Sequence, residues 1–355
     1  MSPPYIPLQI NSSVRDLKLT DEILYWYPWI AELQNKNIWL ALSQQWTSSG
    51  DIPSCPPPGY EYYIVTGDSL MFGLAEKIAS HTNSRVIHLT GPVIDVGLST
   101  DYVKYVPYTS DHRRINRMPM SDINKDIKHK ASALVNAIRH SKVIIFAALT
   151  DMLDEKDRVV SLNCKSYLDS HVHGWQMSGN AVCDHYMTMF KDQWLDKKIS
   201  LPSDTGLEHS YNISPYQTAA LNFNMESYFY SFMDNGTRTY IEPGPFLTEK
   251  TWKCILSKTA FVSVSQYQSY AWLEQMGLNF DYGELDLDFD NEEGNLTRLE
   301  QIVDLIKSLR YWSAQDLYEM TRSSCEHNHD HVMNKEFWRR CELFNQPTVN
   351  LLTKL

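Results

Sequence analysis

A chain of 355 residues is long enough for two domains, each with its own core. A hydrophobic content of 43% is that of a globular protein, and 14 glycines leave no Walker loop and no Gly-x-Gly-x-x-Gly step. The formal charge of −11 argues against a generally basic nucleic-acid coat. Cys55, Cys164, Cys183, Cys254, Cys325 and Cys341 are scattered without a paired framework, as expected of reduced thiols in a cytoplasmic protein. Neither a signal peptide nor an apolar run of bilayer-crossing length is evident, so no membrane association is expected.

In chain order, residues 1–20 read as an irregular arm. Asp21 to Gln34, rich in Tyr25, Trp26, Tyr27 and Trp29, reads as partly helical with a break at Pro28. Pro53, Pro56, Pro57 and Pro58 make Thr47 to Gly59 a loop or stiff linker. Alternation then begins. Tyr62–Thr66 is predicted as a strand, Leu70–Ser80 as a helix, Arg85–Leu89 as a strand, Lys130–His140 as a helix and Lys142–Ala148 as a strand. After the charged stretch Asp151–Asp157 a second block contains a strand at Val159–Leu162, a helix from Thr248 to about Ser257 and a strand at Phe261–Val264. Helices are expected around Tyr270–Met276, over Leu296–Leu309, and from Phe337 to Pro347, while Asp281–Glu293 reads as a solvated acidic loop. This rhythm predicts an α/β fold of parallel strands and helical crossovers. Its expected divisions are an α/β domain over residues 1–155, a second over 156–325, and a helical tail over 326–355.

The densest chemical signal is Tyr240-Ile241-Glu242-Pro243-Gly244-Pro245-Phe246-Leu247-Thr248-Glu249-Lys250-Thr251-Trp252-Lys253. Thr248 can cap a helix whose first turn carries Glu249, Lys250 and Thr251, and free N–H groups at such a start attract anions. Lys250 is unfavourable at that end of a helix unless an anion compensates it, and a carboxylate beside it can clasp a ribose diol. The residue types suit a nucleoside diphosphate.

Phe223-Asn224-Met225-Glu226-Ser227, followed by Phe246-Leu247-Thr248-Glu249-Lys250-Thr251, resembles the paired signature of alpha-1,3-fucosyltransferases and of a wider set of phage and viral glycosyltransferases. Val159-Val160-Ser161-Leu162-Asn163-Cys164-Lys165 is similar to the Val-Ser-Asn-Cys segment that opens their donor domain. The resemblance spans roughly residues 158–310; an extra residue separates Ser161 from Asn163, and His171 and His173 stand near where the family has an Arg. It implies a GT-B-like architecture, two Rossmann-like domains facing a cleft, with the donor on the second. Glu249 would then bind the ribose hydroxyls and Lys250 and Thr251 the diphosphate, with Glu226, Ser227, Asn163 and Lys165 lining the pocket. No cofactor and no metal is implied, the nucleotide sugar being a substrate.

On the first domain, Gly67-Asp68-Ser69-Leu70 looks like the opening of a serine esterase, but the chain lacks the Gly-x-Asn-Asp step that such a serine needs. Asp68 and Asp95 are instead candidates for the base that takes the acceptor proton, and His88 is a weaker one. Cys325, His327, His329, Asp330 and His331 are metal-capable, yet their setting reads as a loop and a polar hinge. The segment Lys104–Lys142 is basic within an acidic chain, and Arg113, Arg114 and Arg117 are its candidates for phosphate contact with double-stranded DNA. The expected function is transfer of a sugar to a hydroxyl, with 5-hydroxymethyl pyrimidine of phage DNA as acceptor. A glycan acceptor, or a non-catalytic nucleic-acid-binding protein of the same fold, is the alternative.

Overall fold

The computed structural model describes residues 9–43, 56–66, 72–90, 101–109, 111–117, 124–135, 139–162, 179–195, 197–199, 214–226, 229, 232–234, 239–241, 245 and 247–355. They form a mixed α/β structure with two sheets of mainly parallel strands, each in its own compact unit.

The first unit begins with β1 (Gln9–Ser13), α1 (Asp21–Trp26), α2 (Ile30–Leu33) and β2 (Ile38–Ser43). It continues through β3 (Tyr62–Thr66), α3 (Phe72–Thr82), β4 (Arg85–Thr90), β5 (Val103–Pro107) and α4 (Asp111–Arg117). Its five strands lie in the order β1-β2-β3-β4-β5, parallel except for the antiparallel pair β1/β2. Side chains alternate across the pleat and both faces are covered, which is why these strands read as short unbroken apolar runs. Ile38, Leu40, Leu42, Ile64 and Ile87 pack with Trp26, Trp29, Ile30 and Leu33, whereas Tyr63, Val65, Val86 and Val103 pack with Ala75 and Ile78 of α3. Thr20 caps α1, its Oγ1 accepting from Ile23 N at 3.2 Å, and the helical stretch breaks around Pro28 as expected. The expected irregular arm contains β1, a polar strand (Gln-Ile-Asn-Ser-Ser) with no alternation to reveal it, held at the sheet edge by β2.

The second unit contains β6 (His129–Val135), α5 (His140–Met152), β7 (Arg158–Leu162), α6 (Ala181–Gln193), α7 (Ser214–Thr218) and β8 (Ala219–Met225). The short strands β9 (Phe232–Asp234) and β10 (Thr239–Ile241) follow. Then come α8 (Glu249–Leu256), β11 (Ala260–Val264), α9 (Ser269–Gln275), α10 (Asn295–Ser308) and α11 (Ala314–Val332). Its sheet is wholly parallel, in the order β11-β8-β6-β7. Here the reading of residues 130–148 is inverted. The expected helix is strand β6, and the expected strand lies inside helix α5. Every residue of α5 from Ser141 to Leu149 is buried among α6, α10, β6 and β7, so no polar face interrupts the apolar run to mark a helical period.

The chain returns to the first unit through α12 (Lys335–Thr353). The helix passes Pro347, where the sequence suggested an end, because its next turn is anchored: Thr348 Oγ1 donates to Pro107 O at 2.6 Å and Leu352 is buried in the core. The units are therefore residues 1–117, 241–244 and 335–355 on one side, and 118–240 and 245–334 on the other. The boundary expected at 155 falls earlier because β6 lies between β7 and β8, and the tail expected from 326 starts after α11, which belongs to the second unit. No described helix is long and apolar enough to cross a membrane.

Candidate functional site

The second sheet changes direction at β6. The chain runs outward from β6 to β7, then crosses back to β8 and on to β11. Where neighbouring parallel strands send their connections opposite ways, a crevice opens beyond their carboxyl ends, and open α/β sheets bind ligands there. β8 ends in Met225, and Glu226 follows at that position.

Glu226 is 1% exposed, and its carboxylate organises the start of α8. Oε1 accepts from Thr248 N at 3.1 Å, from Thr251 Oγ1 at 2.7 Å and from Asn224 Nδ2 at 3.3 Å, and Oε2 accepts from Thr248 Oγ1 at 2.5 Å. Thr248 in turn caps α8 as the sequence predicted, accepting from Lys250 N at 3.4 Å. Thr251 is fully buried and also accepts from Asn224 Nδ2 at 2.7 Å. Glu226 and Thr251 thus hold the helix start from beneath, a positioning role rather than direct contact with a ligand. The anion that compensates Lys250 belongs to the chain itself: its Nζ lies 3.7 Å from Glu226 and 3.8 Å from Glu249, and donates to Thr248 Oγ1 at 3.0 Å. The side chains of Glu249 and Lys250 are 18% and 25% exposed, so they are the members of this cluster that a ligand can reach.

Polar residues inside β8 tie it to its neighbours. Asn222 Nδ2 donates to Ser132 Oγ of β6 at 2.8 Å, and Asn222 Oδ1 accepts from Cys254 Sγ of α8 at 3.4 Å. Lys142, in the first turn of α5, donates to Met225 O at 3.0 Å. Its pKa lies well below the usual 10.5, chiefly through burial, with Lys250 and Arg139 adding repulsion and Glu226 and Glu249 partly offsetting it. Sequence reading missed Lys142 as a site residue because it stood at the head of an apolar run taken for a strand.

The other expected site residues divide. Asp68, Asp95, Ser227, Asn163 and Lys165 lie outside the described residues. Arg114 and Arg117 lie on α4, with side chains outside the described set. Arg113 is a correction: it is 5% exposed and serves as an internal brace instead of a phosphate contact. It donates to Trp26 O at 3.3 Å, to Tyr108 Oη at 3.1 Å and to Glu342 of α12. His112 Nε2 meets the same carboxylate at 3.0 Å, and these contacts hold Glu342 below the usual carboxylate pKa, the His112 hydrogen bond foremost. Much of the basic segment is likewise spent internally. Lys125 donates to Tyr216 O and Thr259 Oγ1, each at 2.6 Å, and burial lowers its pKa to about 8, while Lys130 pairs with Asp157 at 3.1 Å. His88 is buried and burial lowers its pKa to about 4, which makes it a poor proton acceptor.

The cluster Cys325–His331 sits on helix α11, not in a loop. His327 and His331 are one turn apart with stacked rings, and their Nε2–H groups donate to Gly277 O at 3.3 Å and Met276 O at 2.8 Å. They satisfy carbonyls at the end of α9, as side chains near helix C-termini do. Among the described residues no group of His, Cys, Asp and Glu is placed to hold a metal. The acidic loop Asp281–Glu293 also carries a structural residue: Asp290 is buried and accepts from Ser269 N and Tyr270 N at 2.9 Å each, capping α9, and desolvation raises its pKa to about 6.

Comparison with known proteins returned no match: no family model matches the chain, and no curated protein or solved structure does so.

Proposed function

We propose that this protein is a glycosyltransferase of GT-B type that moves a sugar from a nucleoside diphosphate to a hydroxyl. The supporting observation is the reachable Glu249–Lys250 pair at the start of α8, held from below by Glu226 beside the switch between β6 and β8. Glu249 accepts hydrogen bonds from the ribose hydroxyls. Lys250, at the start of α8, meets the diphosphate and stabilises the charge that grows on it as the glycosidic bond breaks. A carboxylate takes the proton of the acceptor hydroxyl, and Asp68 and Asp95 are the sequence's candidates for it.

For the acceptor, a glycan hydroxyl fits better than 5-hydroxymethyl pyrimidine in DNA, because Arg113 and Lys125 of the basic segment are occupied inside the protein and are not a phosphate-binding face. Slow cleavage of a nucleotide sugar without acceptor separates this reading from a non-catalytic binding protein. A thermal-shift series with UDP, GDP, CMP and dTDP identifies the nucleotide, since specific binding raises stability by mass action. The reading fails if none of the four shifts the transition and no nucleotide sugar is cleaved.

A further inference from the structure

Lys142 is 5% exposed, and among the described residues its ammonium makes a single hydrogen bond, to Met225 O at 3.0 Å. A protonated lysine offers three donors, and a buried one with a single acceptor is short of partners. Around it, Arg139 at the α5 N-cap and Lys250 of α8 oppose its charge, while Glu226 after β8 and Glu249 of α8 favour it. Burial is the largest influence against the ammonium, Lys250 and Arg139 add to it, and Glu226 and Glu249 offset it only in part. Arg139, at the N-cap of α5, makes no side-chain cap hydrogen bond at the same end of the helix.

Such a place is poised for an anion. A phosphate oxygen would supply the missing acceptor and the missing counter-charge at once, at the carboxyl ends of the two strands that flank the switch.

We propose that Lys142 is a proton-linked anion-binding residue, whose amine takes up one proton as a diphosphate settles at the carboxyl ends of β6 and β8, and whose ammonium then donates to a phosphate oxygen while keeping the Met225 carbonyl. The proton comes from solvent, one N–H bond forms, and no bond to phosphorus changes. The inference deepens the donor-site reading and rests on it for the nucleotide, although the anion chemistry needs only the diphosphate.

Isothermal titration with inorganic pyrophosphate, UDP and GDP tests it, run from pH 6.5 to 8.5 in buffers of different ionisation enthalpy. The Lys142→Met variant serves as the reference for protons taken up by the ligand itself. The wild type should bind pyrophosphate about tenfold or more tightly than the variant at the acidic end and take up about one proton more. That advantage should shrink as pH rises, by up to about tenfold per unit. Lys142→Met should melt at or above the wild-type temperature, because it removes a buried charge. If it fails to fold, Lys142→Gln keeps a donor for the Met225 carbonyl without a titratable amine and is read in the same way.

Equal affinities and equal pH slopes in wild type and variant overturn the inference, as does a variant that melts lower yet binds normally. The two readings part cleanly. Lys142-dependent pyrophosphate binding without nucleotide binding leaves the anion residue in place and removes the donor site. Nucleotide binding that depends on Glu249 and Lys250 but not on Lys142 does the reverse. A wild type that binds none of the three ligands removes both.

Discussion

The two units bury charge in opposite ways. In the first, Arg113 spends its guanidinium on Trp26 O, Tyr108 Oη and Glu342, and Asn345 closes the same seam by donating to Thr109 O and accepting from Thr109 N, each at 2.8 Å. In the second, Lys142 is as deeply buried but has one hydrogen-bond partner among the described residues, and it stands beside a group of charges of both signs. A buried charge shared among several partners is a clamp. One left short of partners is a cost that folding alone does not repay, and such costs concentrate where a ligand completes the set. The sheets differ in the same sense. The parallel strands of the first step one way from β2 to β5, whereas the second reverses at β6, the topology at which open α/β sheets bind ligands.

The sharpest way to break this contrast is to remove the clamp. Arg113→Ala should cost the protein about 3 kcal/mol in urea unfolding, because it empties a buried site and strips the partners of Tyr108 and Trp26. An unchanged midpoint would mean that the seam between α4 and α12 does not need it.

Next in size is Glu226→Gln. One amide oxygen cannot replace a carboxylate that accepts from Thr248 N, Thr248 Oγ1 and Thr251 Oγ1, so about 2 kcal/mol of stability should be lost together with nucleotide binding. Stability lost with full nucleotide affinity would separate the brace from the site.

Lys250→Ala should weaken nucleoside diphosphate binding by about 1.5–3 kcal/mol and nucleoside binding little, while Glu249→Gln weakens both. Calorimetric titrations in which both variants match the wild type would remove the pair from the donor site.

The smallest effect belongs to Thr20, a cap with a single bond to Ile23 N. Thr20→Ala should cost about 1 kcal/mol. Thr248→Ala should cost more, since Thr248 is also bound by the buried Glu226. Equal losses in thermal unfolding would show that the carboxylate adds nothing to the cap.

The start of α8 was legible in the sequence because its information is local: a Thr cap, polar residues in the first turn and an apolar face behind them. Helix α5 was not, since a helix buried on all sides carries no polar period, and the same apolar run suits a strand. Strand β8 was hidden for another reason. All of Ala219–Met225 is buried, yet Asn222 and Asn224 make it look irregular until Ser132, Cys254 and Thr251 are seen to satisfy them. The basic segment misled because neighbours in sequence go to different partners in space: Arg113 to α12, Lys125 to the chain at Tyr216 and Thr259, and Lys142 to the end of β8.

The return of α12 to the first sheet has a consequence for how the protein is made. Thr109 waits for Asn345, its partner 236 residues downstream, before its backbone groups are satisfied. At bacterial or eukaryotic elongation speeds that delay is on the order of 10–50 s. A nascent chain therefore carries its N-terminal sheet with one apolar seam open while the second unit, almost contiguous in sequence, is still being synthesised. Chaperone engagement during translation should fall on that seam, and slowing synthesis before α12 should raise aggregation more than slowing it after.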